Sequence, residues 1–427
     1  MKKEIIKSSR TGDQCIHVKH SSGLDIYITE MKGFSSVEAL FGTKYGSINT
    51  MFRQREDRDF TVVPEGIAHF LEHKLFENED CDAFELYAKT GASGNAFTTF
   101  DKTCYDFSAN GDNYTEALKI LLDFVQKPFF TQETVDKEQG IIGQEIQMTN
   151  DNPAWRIFFN MLRCMYHSHP VKIDIAGTID SIARIDADLL YKCYNTFYNL
   201  NNMVLSIAGN VDADKVLEIC DEYLKPCEDK GLETVFPDEP DDIVQPETHE
   251  ILPVGTTLFN IGYKCSNCRG RERLLKATAA SAAAALITDA SSDMYQKLLK
   301  EGVINSTFGY EIFTGDGYFT VIFGDESEDP ERVRDSITAE VERMINEGID
   351  EDAFQRIKKT AYGAEIRELN DVSAVANRAI NAHMDGIGPF DEIDALSELT
   401  SDDVLEFMKK EMRRDRMVMS VIEKEAE

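Results

Sequence analysis

Two histidines four residues apart, with a glutamate beside the second, are the most reactive combination in this 427-residue chain: His69-Phe70-Leu71-Glu72-His73. On a helix, residues i and i+4 stack on one face about 6 Å apart. Two imidazoles so placed can share one zinc ion. Glu72 follows His69 by three residues and lies on the same face. A carboxylate there can take a proton from a zinc-bound water without being a ligand. Ile67, Leu71 and Leu75 recur every four residues on the opposite side. Such a helix buries one side and presents metal chemistry on the other. With eight histidines in the chain, chance would produce this five-residue pattern in roughly one sequence per hundred. The plain alternative is a histidine pair beside an unrelated acid. The other six histidines, His167 and His169 among them, form no comparable motif.

A hydrolytic zinc site wants a third protein ligand and one open position. The helix expected over Glu133 to Thr149 carries Glu138 and Glu145, seven residues apart and on one face. That spacing separates their backbones by about 10 Å along the axis, too far for both to hold one ion. One carboxylate should bind metal, and the other should hold a ligand or a water from behind. Spacing does not distinguish them. Two solvated glutamates on an acidic helix are the alternative.

Several elements must position these groups. The sequence predicts a helix over Pro64 to Asn78, with proline in its first turn, and another from Asp82 to Thr90, ending at Gly91. Strands are expected at Asp25 to Thr29 and Ala39 to Gly46. A strand pair covers Ala96 to Phe100 and Thr103 to Ser108. Helices follow over Thr115 to Gln126 and Gln132 to Thr149. Further on come an alanine-rich helix, Leu275 to Asp289, and a hairpin around Gly315-Asp316-Gly317. Helices over Pro330 to Glu347 and Asp352 to Leu369 complete the pattern.

The stretch Lys225 to Pro246 holds Pro226, Pro237, Pro240 and Pro246 with the acidic string Asp238-Glu239-Pro240-Asp241-Asp242. It reads as a linker, unsuited to a helix or central strand. The flanking halves look related. Ile182, Ile185, Asp188 and Met203-Val204-Leu205-Ser206-Ile207 recur as Leu396, Leu399, Asp402 and Met417-Val418-Met419-Ser420-Val421, offset by 214. The economical reading is one α+β unit present twice, each a sheet with helices mainly on one face. The expected domains are 1–224, bearing the metal motif, a linker over 225–250, and 251–427 without metal. The offset carries His69, Glu72 and His73 to Ala283, Leu286 and Ile287, and Glu145 to Lys359. None of those residues binds metal at this spacing.

The formal charge of −32 and pI near 4.6 argue against nucleic acid as the main partner, because its binders concentrate lysine and arginine. They also disfavour an anionic membrane surface; a cationic peptide would feel a favourable field. No apolar run reaches the ~18 residues of a membrane span, and the first ten residues lack the apolar core of a secretory signal. Nine scattered cysteines suit reduced thiols in a cytoplasmic chain. Cys265-Ser266-Asn267-Cys268 is a lone C-x-x-C, read as structural rather than metal-binding or redox.

His69-Phe70-Leu71-Glu72-His73, followed about seventy residues on by Glu138 and Glu145, resembles the pitrilysin/insulinase family of zinc peptidases, the inverzincins. Gly91-Ala92-Ser93-Gly94-Asn95-Ala96-Phe97-Thr98, the run from His169-Pro170 to Ile175-Ala176-Gly177-Thr178, and Asn202-Met203 through Asp212 match as well. The resemblance spans most of residues 20–225 and is closest to single-chain bacterial members of this length. It implies one Zn2+ per chain, with His69, His73 and Glu145 as ligands and Glu138 as the supporting acid. It makes Glu72 the general base. The implied activity is a zinc endopeptidase acting on peptides or small unfolded polypeptides. Asn95, Ala96 and Phe97 would form an edge strand to which substrate adds as a further strand. Two homologous domains would enclose a clamshell-like chamber. The resemblance also implies association as a homodimer, or as a heterodimer with a similar chain lacking the metal motif. One departure stands out. Where relatives carry an arginine and a tyrosine that grip substrate, this chain has Leu298 and Asn305, with Tyr310 off register. That departure supports the alternative, a non-catalytic peptide-binding or assembly subunit.

Overall fold

The run Met203–Gly209 is buried at every position, as a strand covered on both faces must be. It forms the centre of a seven-stranded sheet in the computed structural model, which describes residues 2–79 and 82–425. The strands are β1 (Lys3–Lys7), β2 (Gln14–Lys19), β3 (Asp25–Glu30), β4 (Ser36–Thr43), β5 (Ser93–Thr98), β6 (Thr103–Asn110) and β7 (Met203–Gly209). Their order is β1-β2-β3-β7-β4-β6-β5. β3 and β7 run parallel; the other neighbours are antiparallel. β5 lies at an edge, paired with β6 so that Asn95 faces Asp106 and Thr98 faces Thr103.

Helices α1 (Ile67–Leu75), α2 (Ala83–Thr90), α3 (Tyr114–Phe124) and α4 (Gln132–Asn150) follow in the same half. Phe41, Tyr105 and Phe107 from the sheet pack with Phe70, Leu71 and Leu75 of α1 and with Leu118, Leu121 and Leu122 of α3. Burying each such side chain contributes about 1.5–3 kcal/mol. The helix expected from Pro64 is shorter than the sequence suggested, because Gly66 adopts φ 89° and α1 begins only after it.

The second sheet holds β8 (Glu247–Leu252), β9 (Leu258–Lys264), β10 (Gly309–Gly315), β11 (Tyr318–Glu326) and β12 (Met417–Lys424). Its order is β8-β12-β9-β11-β10, with β8 and β12 parallel and the rest antiparallel. That is the arrangement of β3-β7-β4-β6-β5 repeated. The offset of 214 holds from β7 to β12 but is 222 from β3 to β8, because intervening loops differ in length.

The two compact units are not contiguous halves. One comprises Met1–Ile146, Asp174–Phe236 and Glu365–Asp391; the other comprises Gln147–Ile173, Pro237–Ala364 and Glu392–Glu427. The expected domains 1–224 and 251–427 overlook this reciprocal exchange. Helix α5 (Pro153–Met165) packs on β9 and β12 of the second unit. The helix Val372–Asp385 packs on β4 and β7 of the first. Both lie opposite the main helical layer. A Cβ at Gly42 would come within 2.7 Å of Ile380, and one at Gly262 would collide with Met165, so a missing side chain on each sheet admits the exchanged helix. Among the described residues, no helix is long and apolar enough to cross a membrane.

Candidate metal centre

α1 is held at its start by close backbone approach. Gly66 and Gly177 both take positive φ, at 89° and 77°. A Cβ on Gly177 would fall 2.5 Å from the carbonyl oxygen of Glu65, and one on Gly66 would collide with the Ala176 carbonyl. Ser181 Oγ donates to the Glu65 carbonyl at 2.8 Å, and Ser181 also completes a capping box with Thr178. The Ile175-Ala176-Gly177-Thr178 stretch is therefore the seat on which α1 starts. Ile67, Phe70, Leu71 and Leu75 are buried beneath the helix, which leaves His69, Glu72 and His73 toward α4 and β5.

His69, His73 and Glu145 offer ligand atoms within 4.8 Å of one another, the sole such trio of acidic, histidine or cysteine side chains among the described residues. His69 Nε2 lies 3.5 Å from Glu145 Oε1, and His73 Nε2 lies 3.6 Å from Glu145 Oε2. Both separations are too long for good hydrogen bonds. They match the edge of a zinc tetrahedron, about 3.4 Å for bonds near 2.1 Å. Burial, with the neighbouring His73 charge, pushes His69 down to about 3, so its imidazole is neutral and its Nε2 lone pair can bind a cation. His69 Nδ1 is buried without a hydrogen-bond partner among the described residues. This donor set fits zinc: two imidazoles and one carboxylate, with a fourth position left over.

Glu138 plays a different part in the geometry. It is 6% exposed, and its Oε1 accepts from His73 Nδ1 at 3.0 Å. That bond fixes the tautomer with Nε2 turned to Glu145. Burial alone would lower the His73 pKa. The Glu138 hydrogen bond and the charges of Glu72, Glu138 and Glu145 outweigh it, so His73 stands above its ordinary value. Spacing leaves the two glutamates alike; in the structure Glu138 meets Nδ1 of His73, and Glu145 lies near the Nε2 atoms of both histidines.

Glu72 does not join the trio. Its Oε2 accepts from Thr98 Oγ1 at 2.7 Å, and burial raises its pKa despite that bond. Asn95, Ala96 and Phe97 sit on β5, with Ala96 packed against the core and Asn95 exposed. In the sequence Thr98 stands only as the last residue of the motif that begins at Gly91; its two-residue stagger from Ala96, which places both on one side of β5, is the signal that marks it. Leu298 is buried at 2%, and the Asn305 side chain accepts from its own chain at Thr307 N. Tyr310 OH lies 3.1 Å from Ser281 Oγ. His169 lies in the other unit, where Nε2 donates to the Asp316 carbonyl at 3.0 Å. Cys265 and Cys268 are buried free thiols.

The family model described as insulinase, peptidase family M16, matches residues 62–179, and that of the peptidase M16 inactive domain matches residues 184–361. An uncharacterised zinc protease of Bacillus subtilis, YmfH, is 37% identical over 408 residues, covering 94% of this chain and 95% of the relative. An uncharacterised zinc protease of Rickettsia felis is 31% identical over 203 residues, 47% of each chain. Among solved structures, a protein described as an M16-like peptidase from Alicyclobacillus acidocaldarius has a TM-score of 0.91 at 32% identity, covering 99% of this chain and 98% of that one. A Helicobacter pylori protease has a TM-score of 0.82 at 18% identity, covering 99% of each chain; at that identity the likeness is one of fold.

Proposed function

The chain belongs to the insulinase family, peptidase family M16, and from that premise we propose that it is a zinc-dependent endopeptidase acting on peptides or small unfolded polypeptides. The observation that carries the reading is the convergence of His69, His73 and Glu145 beside an acid, Glu72, that is not needed as a ligand. Bound zinc would supply Lewis-acid polarisation of a peptide carbonyl and a more acidic attacking water. His69 Nε2, His73 Nε2 and a Glu145 oxygen would hold the ion. Glu138 keeps His73 turned to it.

Glu72 moves the protons. Its Oε2 is engaged by Thr98, so Oε1 takes the proton of the attacking water and returns it to the leaving amine. A raised carboxylate pKa suits both transfers, since the group must gain and lose a proton near neutral pH. β5 offers its outer edge, at Asn95, Ala96 and Phe97, to an extended peptide. Backbone pairing there binds many sequences, and the side-chain alternation supplies preference. The net charge of −32 favours basic substrates over acidic ones.

The second reading is a peptide-binding subunit without turnover. It draws on Leu298 and Asn305, whose buried or self-engaged side chains leave no substrate grip at those positions. Zinc analysis of purified protein and a quenched-peptide assay, with and without chelator, separate the two. Stoichiometric zinc with chelator-sensitive cleavage supports the peptidase. Zinc-free protein, or zinc-loaded protein that cleaves nothing in a broad peptide library, refutes it.

A further inference from the structure

We propose that Thr98 is a positioning residue that ties the orientation of Glu72 to the strand on which substrate would lie; the proposal rests on the peptidase reading above. A glutamate on a helix surface has three rotatable side-chain bonds, and a base must be held within a fraction of an ångström to be effective. Something must restrain Glu72. α1 itself offers nothing, because its backbone groups are used within the helix.

Thr98 supplies the restraint. Its hydroxyl has one proton and two acceptors in reach, Glu72 Oε2 at 2.7 Å and Thr103 Oγ1 at 3.3 Å. Thr103 does not donate in return, because its own proton goes to the Tyr45 carbonyl at 2.8 Å. The shorter, charge-assisted bond takes the Thr98 proton. Threonine is stiff at χ1, and its backbone is stiff too. Thr98 ends β5 opposite Thr103, just before a turn closed by Thr99 N to the Lys102 carbonyl at 2.8 Å. The hydroxyl is thus a fixed post.

The consequence is geometric. A peptide paired to the outer edge of β5 takes its register from the β5 backbone. Glu72 takes its orientation from a side chain of the same strand. Scissile carbonyl and base are referenced to one element, so a shift of β5 moves both together. Removing the hydroxyl leaves the edge intact and frees the carboxylate. Binding should survive while turnover falls.

The test compares Thr98→Val, nearly isosteric without the hydroxyl, with Thr98→Ser, which keeps it. With a quenched peptide, Thr98→Val should lower kcat by about 10- to 100-fold. KM should stay within about twofold and zinc content should be unchanged. Thr98→Ser should recover kcat to within about threefold. A Thr98→Val enzyme as fast as wild type overturns the proposal. So does a Thr98→Ser enzyme as slow as Thr98→Val, which would assign the effect to the methyl group. Crystal structures of both zinc-loaded variants give a readout independent of turnover. Glu72 should keep its place in Thr98→Ser and leave it in Thr98→Val. An unmoved carboxylate in Thr98→Val refutes the positioning role even for a protein that cleaves nothing; a wild type that cleaves nothing refutes only the peptidase reading.

Discussion

Replacing Glu138 by glutamine should weaken zinc binding in a way that depends on pH. Glu138 is buried, and its carboxylate meets His73 Nδ1 at 3.0 Å on the side of the ring away from Glu145. Loss of such a supporting carboxylate typically lowers metal affinity 10- to 100-fold, or about 1.4–2.7 kcal/mol. A second effect opposes it. Burial alone would lower His73, and Glu138 contributes most to raising its pKa above the ordinary value. In wild type, therefore, a proton competes with zinc for His73 as pH falls through that raised pKa. In the glutamine variant the competition begins only at lower pH. His69, pushed down to about 3, does not compete in this range. The affinity gap between wild type and Glu138→Gln should then be largest above the raised His73 pKa, where neither His73 is protonated, and should narrow as the pH falls through it. Competition titrations with a chromogenic chelator at three pH values measure it, and melting curves control for folding. Equal affinities at the alkaline end of the series, or a gap that widens on acidification, would refute this role of Glu138.

Glu72→Gln should keep stoichiometric zinc and lose kcat by at least about 100-fold, measured by metal analysis and the quenched-peptide assay; wild-type turnover would remove Glu72 as the base. Glu145→Ala should lose zinc on dialysis while keeping its melting transition in the metal-free state, and full retention of zinc would exclude Glu145 as a ligand. Gly177→Ala should destabilise the fold by about 1–3 kcal/mol in denaturant titrations, because its Cβ would meet the Glu65 carbonyl at 2.5 Å with φ at 77°. Gly140→Ala, in the middle of α4 with open space around it, should instead stabilise by about 0.5–1 kcal/mol; the reverse order would contradict the close backbone approach at the start of α1 and the free space at Gly140.

Short-range features are legible in the chain before it folds. His69 and His73 share a face because helical periodicity places residues i and i+4 together whatever surrounds them. Glu138 and Glu145 share a face of α4 for the same reason, and β7 and β12 declare themselves by mostly apolar runs, residues 203–208 and 417–422, each broken by a single serine. The repeat, too, was legible, since β7 and β12 keep their sequence likeness at an offset of 214. Tertiary structure decided what lies between such segments. Glu138 meets Nδ1 of His73 across 65 residues, Thr98 meets Glu72 across 26, and Ser181 meets the Glu65 carbonyl across 116. Many carboxylates and hydroxyls in the chain are chemically equal to those chosen, so no local pattern marks the pair that meets. The exchange of α5 and of Val372–Asp385 between units is of the same kind. An apolar helix face fits any sheet with a gap of the right size, and only the folded chain, with Gly42 and Gly262 as those gaps, selects which sheet it covers.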